Sequence, residues 1–151
     1  MRHRILLIPG LVLTALVLSR PSGGLPAQGP VMTVYKSPTC GCCGKWIDHV
    51  KAAGFKVQVQ DMDDLTEIKQ ASGVPMKLRT CHTAVVGSYV VEGHVPADVI
   101  KKMLSEKPKM TGIAVPGMPI GSPGMESGDE KAPYDVVLFD KTGKTVVYAK
   151  R

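Results

Sequence analysis

The pattern of apolar and polar positions predicts alternating strands and helices in the first half of the chain. Residues with high strand propensity dominate 31–35, and apolar residues alternate with polar ones over 55–61. Between these two predicted strands, Trp46 and Val50 stand four positions apart, which predicts a helix over 44–53 with the tryptophan as a core anchor. A β-α-β order of this kind indicates a sheet with crossover helices.

The same reasoning continues the order to β-α-β-α-β-β-α. A short helix is predicted over 65–71, because aspartates precede it and Ser-Gly and Pro follow it. Two apolar runs, 83–86 and 89–92, are joined by Gly-Ser, which is typical of a hairpin. A third helix is predicted over 99–105, so the fold class is α/β.

A change of composition marks residues 107–133. This segment contains five prolines, five glycines and three methionines and shows no periodicity, so it is predicted to be a long Gly/Pro/Met-rich loop. Residues 134–149 then form two apolar runs around an Asp-Lys-Thr-Gly turn, which predicts a closing C-terminal β-hairpin.

The N-terminus has the pattern of a cleaved secretory signal peptide. Basic residues precede an apolar run at 5–18, and small residues follow near position 27. The run of 14 residues is shorter than the ~20 needed to span a bilayer. We therefore predict a signal peptide at 1–27, a single domain at 28–151, and export to the periplasm without a stable membrane span.

The charge of the mature chain gives little support to nucleic-acid binding. Without Arg2, Arg4 and Arg20, the 19 basic residues become 16 against 13 acidic ones. These basic residues are scattered and few aromatic residues accompany them, unlike the basic patches of nucleic-acid-binding proteins.

Three of the four cysteines fall within four residues, and their spacing carries two signatures. Cys40 and Cys42 have the Cys-x-Cys spacing that clamps soft metals, whereas Cys40 and Cys43 form the Cys-x-x-Cys of dithiol redox proteins. The segment lies before a predicted helix, whose N-terminus favours thiolates. A framework of structural disulfides is disfavoured, because such bonds join distant segments and these cysteines are adjacent.

The order of elements, with a cysteine-rich turn between the first strand and the first helix, resembles the thioredoxin-like fold. The resemblance implies that the loop before the third strand, which carries Cys81, packs beside the cysteine turn. A thioredoxin has a cis-proline at this place, and here it is missing unless Pro75 substitutes for it. The four cysteines are therefore expected to meet.

The resemblance becomes more specific at the level of motifs. Cys40-Gly41-Cys42-Cys43 and its neighbours, together with the segments 81–84, 91–97, 115–119 and 121–126, are similar to an exported family with a domain of unknown function that includes the CopG copper-resistance proteins. The similarity covers residues 31–150. It implies periplasmic copper handling on a thioredoxin-like scaffold.

The residues favour copper independently of this resemblance. Cu(I) is soft and accepts two or three sulfur ligands, so four cysteines could hold more than one ion. Zinc prefers four ligands in a closed tetrahedron, which the adjacent Cys42 and Cys43 would supply awkwardly. Copper is therefore preferred over zinc.

Two histidines and two methionines are further candidate ligands. His94 follows the fourth predicted strand, and in a thioredoxin-like fold that turn lies on the face of the cysteine loop. His82 adjoins Cys81, although alternation along a strand would turn it away from the cluster. Met118 and Met125 are candidate thioether ligands, with packing against the sheet as the alternative. His49, two helical turns beyond Cys42, is expected to face solvent.

The preferred hypothesis is a periplasmic copper-binding protein that acts in copper resistance or homeostasis, with redox-coupled metal release as an extension. The alternative is a thiol-disulfide oxidoreductase that uses Cys40 and Cys43, with Cys42 or Cys81 as a resolving thiol. A third hypothesis is an adaptor whose Gly/Pro/Met-rich loop docks on a copper exporter or oxidase. The expected partners are copper ions and a copper exporter or another periplasmic copper protein.

Overall fold

The computed structural model describes residues 30–151, so the signal peptide predicted for residues 1–27 lies outside the described residues. None of the helices in this range is long and apolar enough to cross a membrane. In chain order the elements are β1 (Val31–Lys36), α1 (Gly41–Ala52), β2 (Lys56–Asp61), α2 (Thr66–Ala71), a 3₁₀ turn (Met76–Leu78), β3 (His82–Val86), β4 (Tyr89–Glu92), α3 (Ala97–Glu106), β5 (Gly112–Ala114), β6 (Asp135–Phe139) and β7 (Thr145–Lys150).

The strands form one mixed sheet of seven in the order β2-β1-β3-β4-β5-β6-β7. β1 pairs with β2 in parallel, and β4 pairs with β5 in parallel, whereas the other neighbours are antiparallel. The predicted mixed α/β class is confirmed, and the C-terminal hairpin is present as β6 and β7.

The predicted number of strands was too low by one. Within the predicted loop 107–133, the three-residue strand β5 pairs with β4 on one side and β6 on the other. All three of its residues are buried, so no polar alternation marks it, and three positions are too few to show a period. β5 joins the C-terminal hairpin to the rest of the sheet.

The two faces of the sheet carry separate hydrophobic clusters. Val91, Ile113 and Leu138 belong to the larger cluster, which also contains the buried faces of α1 and α3. Their chain neighbours on the same strands point to the other face and pack with Val74 and Leu78, near the 3₁₀ turn. Helices α1 and α3 therefore share one face, and the segment after α2 covers the other.

Helix α1 begins earlier than predicted, at Gly41 instead of about residue 44. Cys43 is buried on the same helix face as Trp46, Ile47 and Val50, so the apolar period extends back into the cysteine motif. The first turn of the helix therefore carries Cys42 and Cys43, and Cys40 is its N-cap residue.

Candidate metal centre

The four cysteines meet at one end of the sheet. β1 and β3 are antiparallel with Lys36 opposite His82, so the end of β1 lies beside the start of β3. The turn after β1 carries Cys40, and Cys81 directly precedes β3. The sulfur atoms of Cys40, Cys42, Cys43 and Cys81 all lie within 4.8 Å of one another. The structure thus brings together the four cysteines that the sequence placed in one site.

Two of these cysteines are oxidised in the structure. Cys40 and Cys43 form a disulfide with their Cα atoms 5.4 Å apart, while Cys42 and Cys81 are free, half-buried thiols. The Cys42 sulfur lies 3.5 Å from that of Cys40. Because a metal binds the thiolate and not the disulfide sulfur, the complete four-sulfur set requires reduction of this bond.

The free thiol of Cys81 is held in its protonated form. Burial raises the pKa of Cys81 to about 12, and the neighbouring Cys42 adds to the shift, whereas the backbone of Cys81 and the Lys69 ammonium oppose it. A bound cation would displace this proton, since positive charge on a ligated metal stabilises the thiolate.

His94 faces Cys81 with a fixed ring nitrogen. The side chain is buried, and its Nδ1 lies 2.8 Å from the carbonyl oxygen of Pro123, to which Nδ1–H donates. The opposite nitrogen, Nε2, is 3.2 Å from the sulfur of Cys81. Burial lowers the pKa of His94 below its usual value, so the ring is neutral at pH 7. A carbonyl that fixes the tautomer in this way is a common feature of metal-binding histidines.

His82 also faces Cys81, contrary to the strand-alternation argument. Its Nδ1 lies 3.4 Å from the Cys81 sulfur. The argument fails because β3 begins at His82, so the alternation of the strand does not extend back to Cys81. The buried ring lies 4.3 Å from the Trp46 ring and 5.0 Å from the His94 ring, measured between centroids. Burial lowers the pKa of His82 to about 3, with repulsion from a protonated His94 and from the Lys69 ammonium as further contributions to this shift.

The protons available around Cys81 are too few to give every ring nitrogen of His82 and His94 a hydrogen bond. In the part of the chain that the structure describes, His82 Nε2 is buried without a hydrogen-bond partner. If His82 carries its proton on Nε2, then its Nδ1 and His94 Nε2 compete for the single thiol proton of Cys81. If it carries the proton on Nδ1, the lone pair on Nε2 is unsatisfied. This arrangement of one sulfur and two nitrogens, all within 4.8 Å, suits a cation better than it suits protons.

A buried ion pair that the sequence did not reveal holds the segment around Cys81. The carboxylate of Glu92 accepts hydrogen bonds from the backbone N–H of Thr80 at 2.6 Å and from its hydroxyl at 3.0 Å. It also accepts from Thr83 Oγ1 at 2.7 Å and from Lys69 Nζ at 2.7 Å. The sequence feature that could have indicated this pair is the glutamate that ends an otherwise apolar strand, because a glutamate in a buried strand is almost always paired.

The Gly/Pro/Met-rich loop lies over the first turn of α1. A Cβ atom on Gly124 would stand 2.7 Å from the carbonyl oxygen of Cys42 and 2.8 Å from the backbone nitrogen of Trp46. The Gly124 N–H donates to both carboxylate oxygens of Glu126 at 2.9 Å. This close approach brings the carbonyl of Pro123 to His94, so the loop contributes to the site through its backbone.

Met118 and Met125 are half-buried residues of this loop. Neither belongs to the two hydrophobic clusters formed by the described residues. Met118 adopts a left-handed conformation, with a φ of 49°, which is unusual for a residue with a side chain. Their assignment as thioether ligands stays a prediction.

His49 does not face solvent as expected. It is half-buried, and its Nε2 accepts a hydrogen bond of 3.0 Å from the backbone N–H of Ala97, the first residue of α3. It therefore satisfies a free N–H at a helix N-terminus. Trp46 is fully buried and its Nε1–H donates to the carbonyl of Val95 at 2.9 Å, in agreement with its predicted role as a core anchor.

Comparison with known proteins gives three findings. The family described as "Protein of unknown function, DUF411" matches residues 78–125, which include Cys81, His82 and His94. A solved structure of copper resistance protein CopG, form 2, is 44% identical over 82% of this chain and 98% of its own, with a TM-score of 0.77. Form 1 is 45% identical over 80% of this chain and 96% of its own, with a TM-score of 0.75. No curated protein matches the chain significantly.

Proposed function

Because the chain belongs to the family of the CopG copper resistance proteins, we propose that it is a periplasmic copper-binding protein that acts in copper resistance or homeostasis. The observation that carries this proposal is the convergence of the four cysteine sulfurs within 4.8 Å of one another. The proposed location rests on the signal-peptide pattern at residues 1–27. The proposed scaffold is thioredoxin-like, with the cysteine motif at the start of its first helix.

The proposed cargo is Cu(I), bound by the thiolates of Cys40, Cys42, Cys43 and Cys81. Soft thiolates suit this ion, and four of them could bridge more than one ion. The N-terminus of α1 supports the site, because its free N–H groups and partial positive charge stabilise negative thiolates. Zinc is less suitable, since adjacent cysteines of one helical turn do not easily occupy two corners of a single tetrahedron.

The disulfide between Cys40 and Cys43 suggests how copper would be released. Exchange with the disulfide of a partner protein would join the sulfurs of Cys40 and Cys43 and pass two electrons to the partner, which would take up two protons to become a dithiol, while Cu(I) would keep its oxidation state. Two of the four thiolates would then no longer be available as copper ligands. An oxidising periplasm favours this direction. The partner that receives the copper is proposed to be a copper exporter or another periplasmic copper protein.

A second function, thiol-disulfide oxidoreductase, is favoured by the geometry of the same disulfide. Cys42 lies 3.5 Å from the Cys40 sulfur, within reach for thiol-disulfide exchange. Reduction of insulin by the metal-free protein separates the two functions. Turnover close to that of a known oxidoreductase would favour the enzyme, whereas negligible turnover with tight copper binding would favour copper handling.

The proposal is tested by metal analysis of reduced protein. The mature chain is purified under anaerobic conditions and titrated with Cu(I) against a chromophoric Cu(I) chelator. We expect at least one equivalent of copper to survive competition, and we expect Cys40→Ser and Cys43→Ser to bind less copper than the wild type while both variants still unfold cooperatively. If the reduced wild-type protein retains no copper, the proposed function is wrong.

A further inference from the structure

The structure contains a second set of metal-ligating atoms that does not depend on the oxidised cysteines. Cys81 belongs to two groups, the four-cysteine cluster and a group with His82 and His94. The second group, the Cys81–His82–His94 set, contains neither Cys40 nor Cys43. Its three ligand atoms lie within 4.8 Å of one another in the same structure that contains the Cys40–Cys43 disulfide.

We propose that the Cys81–His82–His94 set holds one copper ion when Cys40 and Cys43 are joined as a disulfide. This inference rests on the proposed function and adds a regulation to it. Oxidation would then divide the site into a part that releases copper and a part that retains it.

The distances within the set are close to those of a metal site. The sulfur of Cys81 lies 3.4 Å from His82 Nδ1 and 3.2 Å from His94 Nε2. An ion bonded to nitrogen at about 2.0 Å and to sulfur at about 2.3 Å separates such ligands by roughly 3 to 4 Å. Only a small adjustment would therefore be needed to admit the ion.

Each ligand is positioned by contacts that the disulfide does not provide. The carbonyl of Pro123 fixes the ring of His94. The carboxylate of Glu92 holds Thr80 and Thr83, the residues on either side of Cys81 and His82. These supports come from the loop and from β4, and none of them is a contact made by the Cys40–Cys43 disulfide.

The chemistry of the set differs from that of the four cysteines. One thiolate and two neutral imidazoles form a ligand set of intermediate softness, which suits copper and also accepts Co²⁺ or Zn²⁺. When His82 carries its proton on Nε2, its Nδ1 and His94 Nε2 compete for the single thiol proton of Cys81, and a cation bound by all three atoms would remove this competition. Complete loss of metal on oxidation is therefore not expected.

The test uses the full mature chain with its disulfide intact. Alkylation followed by mass spectrometry first establishes that Cys42 and Cys81 react with the reagent and that the disulfide-bonded Cys40 and Cys43 do not. Anaerobic titration with Co²⁺ then reports on the ligands through thiolate-to-metal charge-transfer absorption, since Co²⁺ does not oxidise thiols. We expect one equivalent to bind. Cu(I) titration against a chelator, with the disulfide checked again afterwards, should give the same stoichiometry.

Two substitutions within the set and one outside it make the test specific. His94→Ala should lower the Co²⁺ affinity of the disulfide form at least tenfold, and Cys81→Ser should abolish the charge-transfer band. His49→Gln is the matched control, because His49 lies outside the set and glutamine can still accept the Ala97 hydrogen bond. Circular dichroism verifies that each variant is folded.

The outcomes separate this inference from the proposed function. If the reduced protein binds Cu(I) but the disulfide form binds neither ion, the inference is wrong and the proposed function stands. If the disulfide form binds Co²⁺ equally well in wild type and His94→Ala, the ligand assignment is wrong. If even the reduced wild-type protein binds no copper, the proposed function itself fails.

Discussion

The buried ion pair between Lys69 and Glu92 provides a quantitative test of how the fold supports the Cys81 segment. Lys69 Nζ lies 2.7 Å from Glu92 Oε1, and the two side chains expose only 7% and 0% of their surface. Removing one partner of a buried pair leaves an uncompensated charge, which costs about 3–5 kcal/mol. We therefore expect Lys69→Met to lower the free energy of unfolding by about that amount.

Removal of the second charge should restore most of this stability. In Lys69→Met/Glu92→Gln no charge remains buried, and the glutamine oxygen can still accept the hydrogen bonds from Thr80. Neutral replacements of buried ion pairs are often tolerated well, so we expect the double variant to lie within about 2 kcal/mol of wild type. With Glu92→Gln measured as well, the coupling energy of the pair is the loss in the double variant minus the sum of the losses in the two single variants.

Urea denaturation of the reduced, metal-free protein measures these free energies. Lys102→Met is a suitable control, because the Lys102–Glu106 pair is 3.9 Å apart and about half exposed, and such surface pairs contribute about 0–1 kcal/mol. Losses that simply add in the double variant would refute the reasoning, since they would show that the two charges are not coupled.

Three further predictions concern the site itself. Gly124→Ala should lower both stability and Cu(I) affinity, because its Cβ would collide with the first turn of α1. Gly128→Ala, also at positive φ but with open space around it, should affect stability alone. Equal copper affinities in the two variants would contradict this prediction. Added Cu(I) should raise the melting temperature of reduced wild type much more than that of Cys81→Ala, since Cys81 joins a distant segment to the metal; an equal rise would exclude it from the site. Converting Met118 and Met125 together to leucine should leave Cu(I) affinity within tenfold if they only pack, and a larger loss, above about 1.4 kcal/mol, would make them ligands.

Local patterns were sufficient to predict most of the elements. Among residues 30–151, each of the three α-helices and six of the seven strands lies where periodicity or turn residues indicated. β5 was missed because its evidence is not local: Gly112, Ile113 and Ala114 become a strand only through pairing with β4 and β6 on either side. Short buried strands of this kind carry no periodic signal in the sequence.

The cysteines of the site could be predicted because their spacing and the β-α-β order together restrict where they lie. The orientation of His82 could not, since it depends on the exact residue at which β3 begins. The pairing of Lys69 with Glu92 was also invisible, because it joins α2 to β4 across 23 positions of sequence. On the sequence alone, a lysine in a short polar helix is indistinguishable from a solvent-exposed one.

The most direct measurement is a crystal structure of the reduced protein grown with Cu(I), with anomalous scattering recorded on both sides of the copper absorption edge. We predict anomalous peaks within bonding distance of the sulfurs of Cys40, Cys42, Cys43 and Cys81, at the N-terminus of α1. A map without copper peaks at these sulfurs, or with copper bound only elsewhere on the chain, would contradict the assignment of this cluster as the copper site.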